Sequence, residues 1–374
     1  MNNNKICIII QNIKVFTLIT LLFFSCSFFS CQSTGGKSAG EQSTGGQISV
    51  ENENKNEEEI EIDLVNDPFI HLAAEGEVLP VSVFPEIWAY VVAGREDALR
   101  SGLPLSDVAY FGAEIDTYGK LISVPDRKKL PPFRARVHMV VKCDGKALTH
   151  FILRPGSSER IALVADLLAA AKNYDGLQID FENIPERDGE NFLTFLKELR
   201  DGLGYKMFTV ALYSRTRKIN NDVYDYEKIK PIVDKIFVMA YDEHWSGSKS
   251  GPVASLGFCR RVAEYSLRVI GEEKLIMGLP FYGRAWGNHN PSRALIYSTT
   301  EKLIEERKIT NIKRENSVPT FDYDVNVSVK LYYDDEYSLS TRMEMYKAMG
   351  VRAIGFWRLG QETPKVWNIL KLAP

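Results

Sequence analysis

No cysteine in this chain stands in CxxC spacing to another, and no two histidines stand as HxxxH or HExxH. That speaks against a zinc or redox motif and against a histidine-held metal. Five cysteines fall at positions 7, 26, 31, 143 and 259, and only Cys143 and Cys259 lie in the part that can fold. Two buried free thiols are expected there rather than a bridge. No Gly-rich loop follows a strand-like run, which weighs against an open doubly wound nucleotide-binding sheet. A basic excess is missing too. Lys and Arg number 46 against 49 Asp and Glu, a net charge of −3, so no nucleic-acid surface is expected. Apolar and aromatic residues are plentiful, at 45% and 11% of the chain. A sizeable core follows, and global disorder does not.

The apolar run Val15–Phe24 is too short for a comfortable membrane span, and Lys5 and Lys14 precede it. It reads as the h-region of an export signal. Two Phe-Phe-Ser-Cys steps follow, ending at Cys26 and Cys31. A small residue before a cysteine resembles a bacterial lipobox, whose cysteine carries the lipid. Polar sequence starts directly after Cys31, which favours that residue. An ordinary cleaved signal or an uncleaved anchor is the alternative, and each takes the chain out of the cytoplasm. The expected organisation is a lipoprotein signal peptide over 1–31, a flexible polar and acidic linker over 32–80 and a folded domain over 81–374. QSTGG occurs twice in the linker, at Gln32 and Gln42, and Glu51–Asp63 is strongly acidic, a composition that stays solvated.

Beyond about Pro80, strand-like runs alternate with amphipathic stretches. Strands are expected at Ile87–Val92, Val108–Phe111, Val137–Lys142, Gly176–Glu182, Phe208–Tyr213, Lys235–Tyr241, Leu275–Phe281 and Ala353–Trp357. Several lack clean alternation, as parallel strands covered on both faces do. Helices are expected at Ser158–Tyr174, Phe192–Leu203 and Ser338–Met349, the last stopped by Gly350. Eight β/α units in about 290 residues predict an α/β fold, a TIM (β/α)8 barrel. About 45 residues between the seventh and eighth strands exceed a simple connection. They predict a small α+β insertion at about 284–330, beside the mouth of the barrel.

The fourth strand carries an unusual face. Along DGLQIDFEN, Asp175–Asn183, residues two apart share a side. Gln178, Asp180 and Glu182 therefore point one way, and Leu177, Ile179 and Phe181 the other. The apolar side suits helices. The polar side then enters the barrel, where carboxylates are tolerated near the strand's C-terminal end. Neighbouring acids push one pKa up and keep a proton available for general acid work. The spacing alone also fits a carboxylate cluster that holds loops in place. Gln178 stands where a third acid is usual. With no like charge at that position, Asp180 is expected to stay ionised throughout turnover.

This stretch resembles D-G-x-D-x-D-x-E, the fourth-strand signature of glycoside hydrolase family 18, the chitinase and N-acetylglucosaminidase family. Asp175, Gly176, Asp180 and Glu182 match it, and Gln178 departs. VMAYD (Val238–Asp242), GLPFYGRAW (Gly278–Trp286) and GFWRLG (Gly355–Gly360) resemble its sixth-, seventh- and eighth-strand segments. An inserted region before YYDD (Tyr332–Asp335) fits as well. The third strand, VHMVVKCDG, lacks the family's S-x-G-G pattern. The resemblance runs from about Pro85 to the C-terminus. The fourth strand is most similar to cell-wall-directed members, which carry Asn at the place of Gln178.

The resemblance implies a retaining, substrate-assisted hydrolase. The substrate's own 2-acetamido oxygen attacks the anomeric carbon, so neither a protein nucleophile nor a cofactor nor a metal is needed. Glu182 becomes the acid and later the base, Asp180 the group that orients the acetamido N–H, and Tyr241 a further hydrogen-bonding partner of that group. Trp357 becomes the floor of the site. Gln178, Asp242, Tyr282 and Arg284 are the candidates for contacts with substrate. For Trp357 and Tyr282 core packing is the alternative, and Trp88, Trp245 and Trp286 stand open between core and lining. The implied substrate is a polysaccharide of β-linked N-acetylglucosamine in peptidoglycan. The implied protein is a monomer, held in the bacterial cell envelope by lipid on Cys31. Chitin or a host glycan is the alternative substrate. A non-catalytic, lectin-like barrel is the alternative of another class.

Overall fold

A computed structural model of the protein describes residues 66–73, 76–288, 292–324 and 328–374. The leader, Cys26 and Cys31, the linker as far as residue 65, and His289 lie outside the described residues. Eight parallel strands follow one another round a closed barrel. They are β1 (Glu86–Val92), β2 (Asp107–Ile115), β3 (Arg136–Asp144), β4 (Gly176–Glu182), β5 (Met207–Tyr213), β6 (Lys235–Met239), β7 (Leu275–Pro280) and β8 (Ala353–Trp357). The ring closes where β8 sets Gly355 opposite Trp88 and Phe356 opposite Ala89. The expected TIM barrel is the observed fold.

The strand ends differ from expectation for local reasons. β2 runs on to Ile115 because Gly112, at φ 145°, takes up a bulge. The register with β3 shifts there, from Phe111 opposite Val140 to Ala113 opposite Val141. β6 and β7 stop short, at Met239 and Pro280. Past β6 the chain turns at once, and Asp242 sits in the left-handed region at φ 56°, where Asp is better tolerated than most residues.

Two apolar layers hold the barrel. Leu177, Ile179 and Phe181 of β4 belong to the outer layer, under the helices. Phe181 stacks on Phe192 and Phe195 at 6.4 and 5.4 Å. Both come from the helix Gly189–Leu203, whose Phe192, Phe195, Leu196 and Leu199 recur at helical spacing and are buried. Burying each such side chain contributes about 1.5–3 kcal/mol. Inside the barrel a second cluster gathers Trp88, Tyr90, Val140, Phe237 and Ile276. Gly355 leaves room for it, since a Cβ there would lie 2.3 Å from the Phe237 ring. At the N-terminal end Trp88 stacks on His138 at 4.5 Å, and His138 Nε2 meets Asp107 Oδ1 at 2.7 Å. Trp88 is thus core and does not line a site. Cys143 and Cys259 are buried and free, as expected.

The insertion between β7 and β8 is a five-stranded antiparallel sheet with the helix Tyr297–Arg307 beside it. Tyr282–Gly287 lies between Arg293–Ile296 and Ser328–Tyr332, followed by Val318–Asp324 and Lys313–Glu315. Ala285, Leu295, Phe321, Leu331 and Tyr333 form its own small core. The chain then re-enters the barrel wall through a buried ion pair. Arg342 contacts Asp334 and donates to the Ala254 carbonyl at 2.7 Å. Next to it Asp335 and Ser338 cap the helix Glu336–Ala348 reciprocally, at 2.9 and 3.1 Å.

Candidate active site

The inner face of β4 descends from the mouth of the barrel into its core. Glu182, at the strand end, keeps 26% of its side chain exposed. Asp180 below it is 6% exposed, and Gln178 below that is fully buried. Gly176 is last, where a Cβ would lie 2.3 Å from His138 Nδ1. The gradient gives each residue a different solvent. Glu182 accepts a hydrogen bond from the Tyr213 hydroxyl at 3.0 Å. One Asp180 oxygen has no hydrogen-bond partner among the described residues. Gln178 donates to Thr209 Oγ1 at 3.0 Å and accepts from the Tyr90 hydroxyl.

Gln178 is therefore not a substrate contact. Both ends of its amide are taken by β1 and β5, beneath the acids. It ties the barrel together where a third acid would be buried with a charge.

Lys142 stands beside the row on β3, opposite Asp180 in register, as Asp144 stands opposite Glu182. Its ammonium is 3.1 Å from Asp144 Oδ2 and 4.0 Å from Glu182 Oε1. Burial first, and then the Glu182 charge, lift Asp180 to about 8, against the pull of Lys142. Burial also raises Glu182, while Lys142 and the Tyr213 hydrogen bond hold it down. This direction runs against the expectation that Asp180 stays ionised: loss of the third acid removes one like charge, but the dry surroundings push the other way, toward a retained proton.

The opposite wall comes from β6, β7 and β8. Tyr282 donates to Asp242 Oδ1 at 2.6 Å, and Arg284 Nη2 lies 3.5 Å from the same oxygen. Arg284 Nε is buried without a hydrogen-bond partner among the described residues. The Tyr241 ring meets the Tyr282 ring edge-on at 6.3 Å. Burial raises the hydroxyls of Tyr241 and Tyr282 well above their ordinary value, so both stay protonated donors. Trp357 ends β8 and packs edge-on against Tyr90 at 5.1 Å and Phe111 at 5.0 Å. Tyr90 links the two walls, since its hydroxyl bonds Gln178 of the row and its ring packs on Trp357. Trp245, 55% exposed, lies in the loop after β6, and Trp286 packs on Tyr332 in the insertion.

Sequence reasoning passed over Lys142, Tyr213, Tyr90 and Thr209. Strand parity offered a signal, because Thr209 and Tyr213 share one face of β5 and Lys142 interrupts an apolar run. Their partners are far away in the chain, and parity alone does not name them.

Paired acids of unequal exposure at the C-terminal mouth of a barrel are the kind of site that glycoside hydrolases use. Residues 155–362, more than half of the chain, match the model of Glycosyl hydrolases family 18. The chain belongs to that family. Among curated proteins, it is 30% identical over 219 residues to YdhD of Bacillus subtilis, named as a sporulation-specific glycosylase, covering 54% of this chain and 51% of the relative. It is 25% identical over 238 residues to the cortical fragment-lytic enzyme of Bacillus anthracis, covering 60% of this chain and 55% of the relative. The chain thus spans about half the length of these relatives. Among solved structures, the spore cortex-lytic enzyme SleL of Bacillus cereus superposes with a TM-score of 0.69 at 20% identity, over 78% of this chain and 76% of that one.

Proposed function

We propose that the protein is a retaining glycoside hydrolase that cleaves β-linked N-acetylglucosamine in peptidoglycan. The burial gradient of the β4 row carries this reading: a buried acid with an unpartnered oxygen lies directly beneath an accessible acid held by Tyr213. Peptidoglycan is favoured by the wording of the fourth strand and by relatives named for sporulation and for lysis of cortical fragments.

In the free protein burial, and then the Glu182 charge, raise the proton affinity of Asp180, so the row holds a proton there. A bound sugar offers its acetamido N–H to Asp180, which favours the ionised form and passes the proton to Glu182. Glu182 protonates the glycosidic oxygen while the acetamido carbonyl oxygen attacks the anomeric carbon. The bond from that carbon to the leaving oxygen breaks, and an oxazolinium ion remains, opposed by the Asp180 carboxylate and held by the Tyr241 hydroxyl. Glu182, now a carboxylate, takes a proton from the water that opens the oxazolinium, and the configuration is retained.

The test is digestion of purified peptidoglycan and of chitooligosaccharides by wild type and Glu182→Gln, with products identified by mass spectrometry. The variant is expected to lose about 10²–10⁴-fold in rate. Cleavage surviving in Glu182→Gln refutes the assigned acid. Cleavage confined to chitooligosaccharides moves the substrate to chitin, and binding without cleavage by wild type moves the protein to a lectin-like class. We also propose export and lipid anchoring at Cys31, on the leader sequence alone. Release from membranes in Cys31→Ser but not in Cys26→Ser supports it, and unchanged retention of Cys31→Ser refutes it.

A further inference from the structure

A concavity of about 590 Å³ opens on the rim of the barrel, outside the acid row. Its walls begin at the ends of β3 and β4. Lys146 follows Asp144 by two residues, and Asp144 stands opposite Glu182. Pro185 follows Glu182 by three, so the groove edge lies at most about 10 Å along the chain from the acid. Lys146, Arg154 and Arg187 bring three cations to the groove, with His150 between them and Phe151 and Pro185 as apolar surface. Among the described residues no carboxylate lines it.

The charges are only partly answered from within. Lys146 makes no ion pair among the described residues. Arg154 lies over the Phe151 ring at 4.8 Å and 3.5 Å from Glu159. Asp188 is buried beneath, where it meets His150 Nδ1 at 2.9 Å and accepts from Asn191 at 3.1 Å. Arg187 Nε stays 3.9 Å from it, with 71% of the Arg187 side chain exposed. Asp188 thus fixes the His150 ring in the groove wall and answers Arg187 only at the long end of ion-pair distance, leaving most of that side chain open. Such a groove selects an anion with some apolar body.

We infer that this groove holds the carboxylate-bearing peptide stem of the glycan strand being cut. The inference rests on the peptidoglycan reading above, since chitin carries neither peptide nor carboxylate. A peptide attached to a sugar in the catalytic mouth needs to run only along the rim from Glu182 past Pro185 to reach the cations. The glycan then supplies the bond to be broken, and the peptide selects which strand is bound.

The experiment compares kcat/KM on soluble glycan strands that carry their peptides with the same strands after amidase removal of the peptides. Wild type is expected to favour the peptide-bearing strand roughly tenfold, with the preference shrinking as salt rises. The combined Lys146→Gln, Arg154→Gln and Arg187→Gln variant is expected to bring the ratio near one. Ala147→Glu adds an acid to the same exposed helix turn without removing a contact, and is expected to lower the ratio as well. A ratio near one in wild type, or an unaltered ratio in both variants, overturns the inference. If wild type cleaves neither strand, the peptidoglycan reading itself fails. Fluorescence anisotropy with the free labelled peptide stem then separates the two: binding lost in the variants supports the groove, and no binding by wild type overturns it.

Discussion

Asp180→Asn removes a buried acid while keeping its size and shape, and its effect on stability has a sign fixed by the surroundings. Asp180 ordinarily titrates at 3.8 and is lifted here to about 8, by burial first and by Glu182 second. The folded protein therefore keeps a proton that the unfolded chain has released. This contribution to stability is fully present below the unfolded value, near pH 4, and is lost as pH rises through about 8. The slope for one such group reaches about 1.4 kcal/mol per pH unit, and its full span has a ceiling of about 6 kcal/mol. Asn does not ionise and escapes the loss. The stability of Asp180→Asn minus that of wild type should grow steadily between about pH 5 and 7.5 and reach several kcal/mol. Urea unfolding at four pH values, followed by tryptophan fluorescence and circular dichroism, measures it; titrating groups away from the row cancel in the difference, while Glu182, coupled to Asp180, responds with it. A constant difference refutes the argument, because it means that Asp180 is ionised in the folded state. The same variant should lose activity at every pH, since the property that costs stability is the one that supplies the proton.

Three further outcomes follow from the same geometry. Lys142→Met removes the cation 4.0 Å from Glu182, so the acid should hold its proton longer and the alkaline limb of kcat/KM should move up by roughly half a unit to one unit; a limb that does not move separates Lys142 from the acid's titration. Gln178→Ala leaves the Tyr90 and Thr209 hydroxyls without their partner in a dry interior, at about 2–4 kcal/mol, read from the urea midpoint. Asp334→Asn leaves the buried Arg342 guanidinium uncompensated and should cost about 3–5 kcal/mol in unfolding free energy, with Arg342→Met recovering part of it in the double variant.

Much of the barrel was legible because parallel strands covered on both faces must be short, β-branched and apolar nearly throughout. β4 and β8 kept their expected ends at Gly176–Glu182 and Ala353–Trp357. Two of the ends that moved did so where one backbone residue took an unusual conformation, Gly112 in the β2 bulge and Asp242 just past β6. Alternation along a strand is a local rule, so the shared face of Gln178, Asp180 and Glu182 was determined by the sequence alone. So were the apolar face toward the helices and the family motif. Depth within the barrel was not. Gln178 meets Tyr90 from 88 positions away and Thr209 from 31, and Lys142 reaches the acids from a neighbouring strand. A carboxyl group's affinity for its proton depends on how much water the rest of the fold has displaced around it, and on which charges the fold has brought near. The sequence placed Asp180 beside Glu182, and only the closed barrel buried Asp180 while leaving Glu182 at the mouth.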